Sequence, residues 1–157
     1  MSTSVASPKL KELQALARTA ILEASYFATG GDGEDVGVIS DTGTQDKTVE
    51  KKLRQTGACV VIYPLLMWRV RDQAGEGWIA EVTLLVKVKL NPEVNSASGG
   101  AGVDIYEVCE KVTDALTNYD RHPGGEFFRV HENAGTLSQF DPGLWEYDLM
   151  FTKEVAS

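Results

Sequence analysis

Residues 78–90 read Trp78-Ile79-Ala80-Glu81-Val82-Thr83-Leu84-Leu85-Val86-Lys87-Val88-Lys89-Leu90, and this stretch decides the fold. Ala80, Val82, Leu84, Val86, Val88 and Leu90 recur at every second position, with Glu81, Thr83, Leu85, Lys87 and Lys89 between them. Side chains of an extended chain alternate between two faces, so this period of two predicts a strand with one apolar and one mainly polar face. The preceding run, residues 58–70, is rich in β-branched and aromatic residues, and Asp72-Gln73-Ala74-Gly75-Glu76-Gly77 supplies turn chemistry between the two. The pair reads as an antiparallel hairpin. Pro64 lacks the amide that a central strand donates, which predicts a bend or bulge in the first of these strands.

Upstream, Leu10, Leu13, Ala17, Ala20, Ile21, Ala24 and Phe27 recur at helical spacing behind Ser7-Pro8, predicting an amphipathic helix over residues 8–28 that stops at Gly30-Gly31. Residues 29–48 carry five glycines and the acids Asp32, Glu34, Asp35, Asp41 and Asp46 against Lys47 alone. They read as a mobile acidic loop with little to bury. A short helical turn follows at residues 49–55. Downstream, residues 91–103 form a flexible connection rich in Gly and Ser, and Asp104 with Glu107 makes a capping-box pattern. The helix it opens places Ile105, Val108, Cys109, Val112, Ala115, Leu116 and Tyr119 on one stripe. Two strands close the chain, residues 126–131 and 144–153, with Gly135, Asp141, Pro142 and Gly143 in the loop between. The expected fold is therefore α+β: an antiparallel sheet of about four strands with two helices packed on one face, in the order α-β-β-α-β-β, as one domain over residues 1–157.

The composition is that of one ordinary globular domain: 157 residues, 43% apolar and 24% charged. Twenty-three acids against fifteen bases give a formal charge of -8, which argues against general affinity for nucleic acid or anionic lipid. Apolar runs are too short for a membrane-spanning helix, and no secretory signal is visible, so a cytoplasmic site of folding is expected. The two cysteines, Cys59 and Cys109, sit in apolar patterns without metal or redox spacing and read as buried free thiols.

Catalytic chemistry is hard to find. Gly30-Gly31-Asp32-Gly33-Glu34-Asp35 has glycines but follows a helix and places acids where phosphate would sit. The same acids lack the register of a calcium loop. His122 and His131 would need ligands such as Glu126, Glu132 or Asp141 to hold a metal, and no Gly-x-Ser-x-Gly elbow exists. The expectation is no enzyme and no cofactor. Trp68, Trp78 and Trp145 fall within strand patterns and read as core or sheet surface before ligand pocket. Lys87 and Lys89 on one strand and Glu146 and Asp148 on another can pair across strands in one subunit, or join neighbouring subunits, and are the candidate interface residues.

In its order of elements the chain resembles the tail terminator and tail-completion proteins of long-tailed bacteriophages. The likeness spans the helix of residues 8–28, a long loop, the hairpin from Val60-Val61-Ile62-Tyr63-Pro64-Leu65-Leu66 to Leu90, the helix from Ile105 to Tyr119, and the final strand Leu144-Trp145-Glu146-Tyr147-Asp148-Leu149-Met150-Phe151. The resemblance implies a structural virion protein of the tail or neck: a homo-oligomeric ring, commonly a hexamer, that caps the tail tube and ends its polymerisation. Its implied partners are the tube protein and a head-neck connector, with DNA passing through unbound. A neck connector or other minor tail protein, and a small non-viral ligand-binding or regulatory α+β domain, are the other readings. A hydrolase built around His122, His131 and nearby acids is a further class.

Overall fold

The alternating stretch becomes β4, Gly77–Leu90, and every other strand is placed by reference to it. The computed structural model describes residues 8–117 and 128–157. Among them, α1 (Leu13–Glu23), β1 (Gly37–Ser40), α2 (Asp46–Gln55), β2 (Ala58–Ile62) and β3 (Met67–Ala74) precede β4. After it come α3 (Pro92–Ser96), α4 (Ile105–Thr117), β5 (Arg129–Asp141) and β6 (Leu144–Ala156). The mixed α+β class is as expected, with six strands and four α-helices where the sequence suggested about four and two.

One sheet holds all six strands, in the order β1-β2-β4-β6-β5, with β3 also on β4. β2 pairs with Val86–Leu90 and β3 with Gly77–Thr83, so the two lie end to end along one side of β4. They are the single bent strand that the sequence suggested, interrupted where expected. Pro64 has no amide to donate, and the ladder is carried past it by Tyr63 N–H to Leu85 O and Leu66 N–H to Thr83 O. On the other side, β6 pairs with β4 from Ile79↔Ala156 to Leu90↔Trp145 without a slip.

This register gives the sheet two different faces. Ala80, Val82, Leu84, Val86, Val88 and Leu90 join Val60, Ile62, Leu149, Phe151 and Val155 in the main core, under Leu13, Ala17, Ile21, Val108, Val112 and Leu116 of α1 and α4. The two helices expected on one face are there. α2 packs on the opposite face, where Val49 meets the buried Cys59 and Val61. No periodicity in β2 announces this second layer, because Ala58–Ile62 is buried on both faces and reads as a continuous apolar run.

Three segments differ from expectation for identifiable reasons. The N-terminal helix is shorter: a 3₁₀ turn at Leu10–Glu12 leads into α1, which ends at Glu23 because Ala24 is extended at ψ 135°. Tyr26 and Phe27 still reach the core from compact turns, stacked edge to face at 4.9 Å, so they continue the helical spacing without being helical. Gly33 lies against the Tyr26 ring, where any Cβ would collide. The acidic segment 29–48 is partly regular, containing β1, which adds parallel to β2, and the first turn of α2. Four residues with a single glycine give too short a pattern to stand out from a loop. Within residues 91–103, Asn91 Oδ1 accepts from Glu93 N–H and Val94 N–H and caps α3. Gly57, at φ +83°, passes so close to the Asn95 backbone that a side chain would not fit.

Asp104 caps α4 as expected, its Oδ1 accepting from Tyr106 N–H at 2.8 Å and Glu107 N–H at 3.2 Å. Ser7, Tyr119, His122 and Glu126 lie outside the described residues. The penultimate strand is longer than residues 126–131: β5 runs to Asp141, includes Gly135, and leaves only Pro142-Gly143 as the turn. Its register shifts twice against β6, between Val130 and Gly135 and between Leu137 and Gln139. Those shifts destroy the period of two that would have marked it.

The two faces make a direct test. Leu84 is fully buried opposite Phe151, whereas the adjacent Leu85 lies half-buried on the other face. Leu84→Ala should cost about 2–5 kcal/mol in urea unfolding, the usual range for a buried leucine. Leu85→Ala should cost less than half as much, and equal losses would mean the register is displaced by one residue.

Candidate functional site

Lys87 stands directly opposite Asp148, and Lys89 opposite Glu146, across the unbroken ladder of β4 and β6. Lys89 Nζ lies 2.8 Å from Glu146 Oε1, while Lys87 Nζ lies 3.4 Å from Glu146 Oε2 and 3.5 Å from Asp148 Oδ1. Ser138 of β5 adds a hydrogen bond of 2.9 Å to Glu146 Oε2, and the Lys87 ammonium sits 5.5 Å from the centre of the Tyr63 ring. Glu146 is buried, its side chain only 7% exposed, and the lysine side chains are about 20% exposed. The four residues singled out from sequence as a subunit contact are thus brought together within one chain.

Burial alone pushes the Glu146 carboxyl up, but the hydrogen bonds from Lys89 and Ser138 and the attraction of both lysines outweigh it and hold the group below the usual carboxylate range. Burial likewise opposes the charge on Lys89, and its hydrogen bond to Glu146 more than compensates, raising its pKa. With each charge answered inside the chain, the cluster fixes the β4–β6 register and leaves a neighbouring molecule little to gain from it.

Nucleophilic groups are quiet. Burial raises the Cys59 and Cys109 thiols to about 12, which makes thiolate scarce at neutral pH. Both cysteines are free; Cys59 is buried as expected, whereas Cys109 is half-buried at the edge of a groove. His131 sits at the first register shift of β5, its Nδ1 accepting from Asn133 N–H at 3.0 Å. Among the described residues no three His, Cys, Asp or Glu side chains are grouped to hold a metal ion, and no helix is long and apolar enough to cross a membrane.

The concave features are open and shallow. A cleft of about 570 Å³ lies between residues 25–32 and α4, with Asp32 and Glu107 facing Lys111. A groove of about 450 Å³ runs between α4 and β5, floored by Val130, Leu149 and Phe151 and flanked by Glu110 and Asp114. The three tryptophans do not share a pocket: Trp68 and Trp78 stack at 5.7 Å on the β3–β4 hairpin, and Trp145 packs on Phe140 at 5.2 Å.

The sheet edges hold what sequence reading missed. Met67, Trp68 and Val70 of β3, and Leu66 just before it, are 45–54% exposed. At the other side, Val130, Leu137 and Phe140 are 46–65% exposed on β5, beside Tyr106 of α4, whose hydroxyl meets that of Tyr147 at 3.2 Å. Isolated exposed apolar residues, such as Leu16 and Leu22 of α1, are ordinary, but groups gathered along both flanks of one sheet are not. Phe140, standing alone in Gln139-Phe140-Asp141, was the one available signal.

The charge cluster sets a pH dependence. A carboxyl whose pKa is depressed by folding contributes stability that is present above its unfolded value, near 4.3, and lost as pH falls through the folded value. Glu146→Gln should lower stability by about 1–3 kcal/mol at pH 7. The gap from wild type should close as pH is lowered below about 4 in urea unfolding, and a gap independent of pH would show that Glu146 acts through packing alone.

A scan against protein-family profiles gives no match for this chain, and a search of curated protein sequences finds no similar protein.

Proposed function

We propose that this chain is a structural virion protein of the bacteriophage tail terminator type, acting as a homo-oligomeric ring that caps the tail tube, ends its polymerisation and offers a surface to the head-neck connector. The observation that carries the reading is the pair of exposed apolar groups on opposite flanks of a single sheet, β3 on one side and β5 on the other. A subunit with unlike sticky flanks joins to copies of itself head to tail, and such contacts close into rings when the rotation permits. The resemblance to tail terminators rests on the helix, long loop, hairpin, helix and final strand, to which α1, the β2–β3–β4 hairpin, α4 and β6 correspond, with β1, α2 and α3 in addition. A capping ring needs no nucleophile, and both thiols here are poor ones.

The charge of -8 accords with a conduit wall that does not retain DNA. The surroundings of this role are the tail or neck of a virion assembled in a bacterial cytoplasm.

Negative-stain imaging of the purified chain, alone and mixed with growing tail tubes, tests the role. Rings with a central hole, bound at one end of tubes whose growth has stopped, are expected. Single particles that leave tube length unchanged would overturn it.

A further inference from the structure

We propose that the β3 edge of one copy seats in the groove between α4 and β5 of the next copy, so that the chain associates head to tail through these two surfaces. This inference rests on the ring reading and names the contact that would build the ring.

The donor surface is a strand with a vacant side. β3 pairs with β4 alone, and among the described residues no strand covers its outer edge. Met67, Trp68 and Val70 are 48%, 51% and 45% exposed there. Arg69 stands among them, also exposed, with no ion-pair partner among the described residues; Glu81, its cross-strand neighbour, is engaged by Arg71 at 3.1 Å. An uncharged, flat edge invites indiscriminate pairing, and a base placed within the apolar run restricts which surfaces can accept it.

The acceptor surface matches in both respects. The groove of about 450 Å³ has an apolar floor in Val130, Leu149 and Phe151, and its α4 wall presents Glu110 and Asp114. Both carboxylates are exposed and neither has an ion-pair partner among the described residues. Leu137, 46% exposed, extends the apolar surface along β5. The outer edge of β5 is a poor ladder partner, because two register shifts break it, so the groove and not the edge receives the strand.

Charge selects a second copy as the occupant. Molecules of net charge -8 repel one another, and a stable self-contact must set a base of one against acids of the other. Along β3, Trp68 and Val70 share the face of Val82 and Ala80 while Arg69 lies with Met67 on the opposite face, so the edge offers apolar side chains on one face and a cation on the other; Glu110 with Asp114 offers two carboxylates beside an apolar floor. The arginine fork suits carboxylates, and closing the groove removes this pairing from water. Because β3 and β5 lie on opposite sides of the β4–β6 pair, one copy can donate and accept at once.

A charge-reversal cycle on the full chain tests the contact, with assembly read by sedimentation velocity and imaging, and folding by circular dichroism. Arg69→Glu should weaken self-association roughly tenfold or more, as like charges are forced together. Glu110→Arg with Asp114→Arg should do the same, and combining all three should restore assembly. Arg69→Gln should show a smaller loss in the same direction and replaces the reversal if Arg69→Glu does not fold. Rings that persist unchanged in both Arg69 variants, or a triple variant no better than its parents, overturn this contact and leave the ring reading standing. A wild-type chain that is monomeric both alone and on tube ends overturns the two together.

Discussion

The antiparallel ladder of β4 with β6 is the constraint on which the rest depends. It runs from Ile79↔Ala156 to Leu90↔Trp145 without a bulge, and each of its residues has its face fixed by that register. A slip of β4 by one position would turn Leu84 and Val86 away from α1 and α4 and bring Lys87 and Lys89 under the helices. Hydrophobic burial favours the observed register from one side of the sheet, and the paired charges favour it from the other. The second effect concerns specificity more than net stability. Desolvating Glu146 and two lysines offsets much of their attraction, but leaving the Glu146 carboxylate buried and unpaired would cost several kcal/mol, roughly 3–5 by analogy with other buried pairs.

What could be read in the sequence follows from how each element is buried. β4 and β6 have one apolar and one polar face, so alternation marks them clearly. α4 has a single buried stripe behind a capping aspartate, and its start was legible to the residue. β1 gave no such signal, and β5 gave one only at its start, over the expected strand of residues 126–131. β1 is four residues long and acquires its place by adding to β2, a contact that no local pattern encodes. β5 is an edge strand with polar residues and two register shifts, so beyond that start its sequence resembles that of a loop. The cross-strand charges were legible as a pairing, and the sequence left open whether it lay within or between subunits. That choice depends on which strands are neighbours, a matter of topology. The exposed edges were not legible, because a half-exposed tryptophan and a buried one have the same letters around them.

The two faces of the sheet are therefore used differently. One carries the main core under α1 and α4; the other is closed at its β1–β2 end by α2 and in its middle by the salt-bridged side chains themselves. Long lysine stems can shield apolar surface while their ammonium groups remain near water, so a face without a covering helix can still be largely dry.

Open apolar edges place a demand on any chain, since an unpaired strand edge is a template for any other strand. The net charge of -8 acts against that at a distance, but its reach is limited to roughly 8 Å at physiological ionic strength. Within that distance only local chemistry discriminates. On β3 the discriminating group is Arg69, and on β5 it is the broken register, which denies a continuous ladder to an incoming strand. The two flanks are thus protected by different means, a charge on one and irregular backbone on the other. An unlike pair of surfaces results, each of which rejects its own kind: two β3 edges would oppose arginines, and two grooves would oppose carboxylates. That mutual exclusion would favour the proposed head-to-tail contact over symmetric pairing, and it follows from the placement of three charged side chains around one sheet.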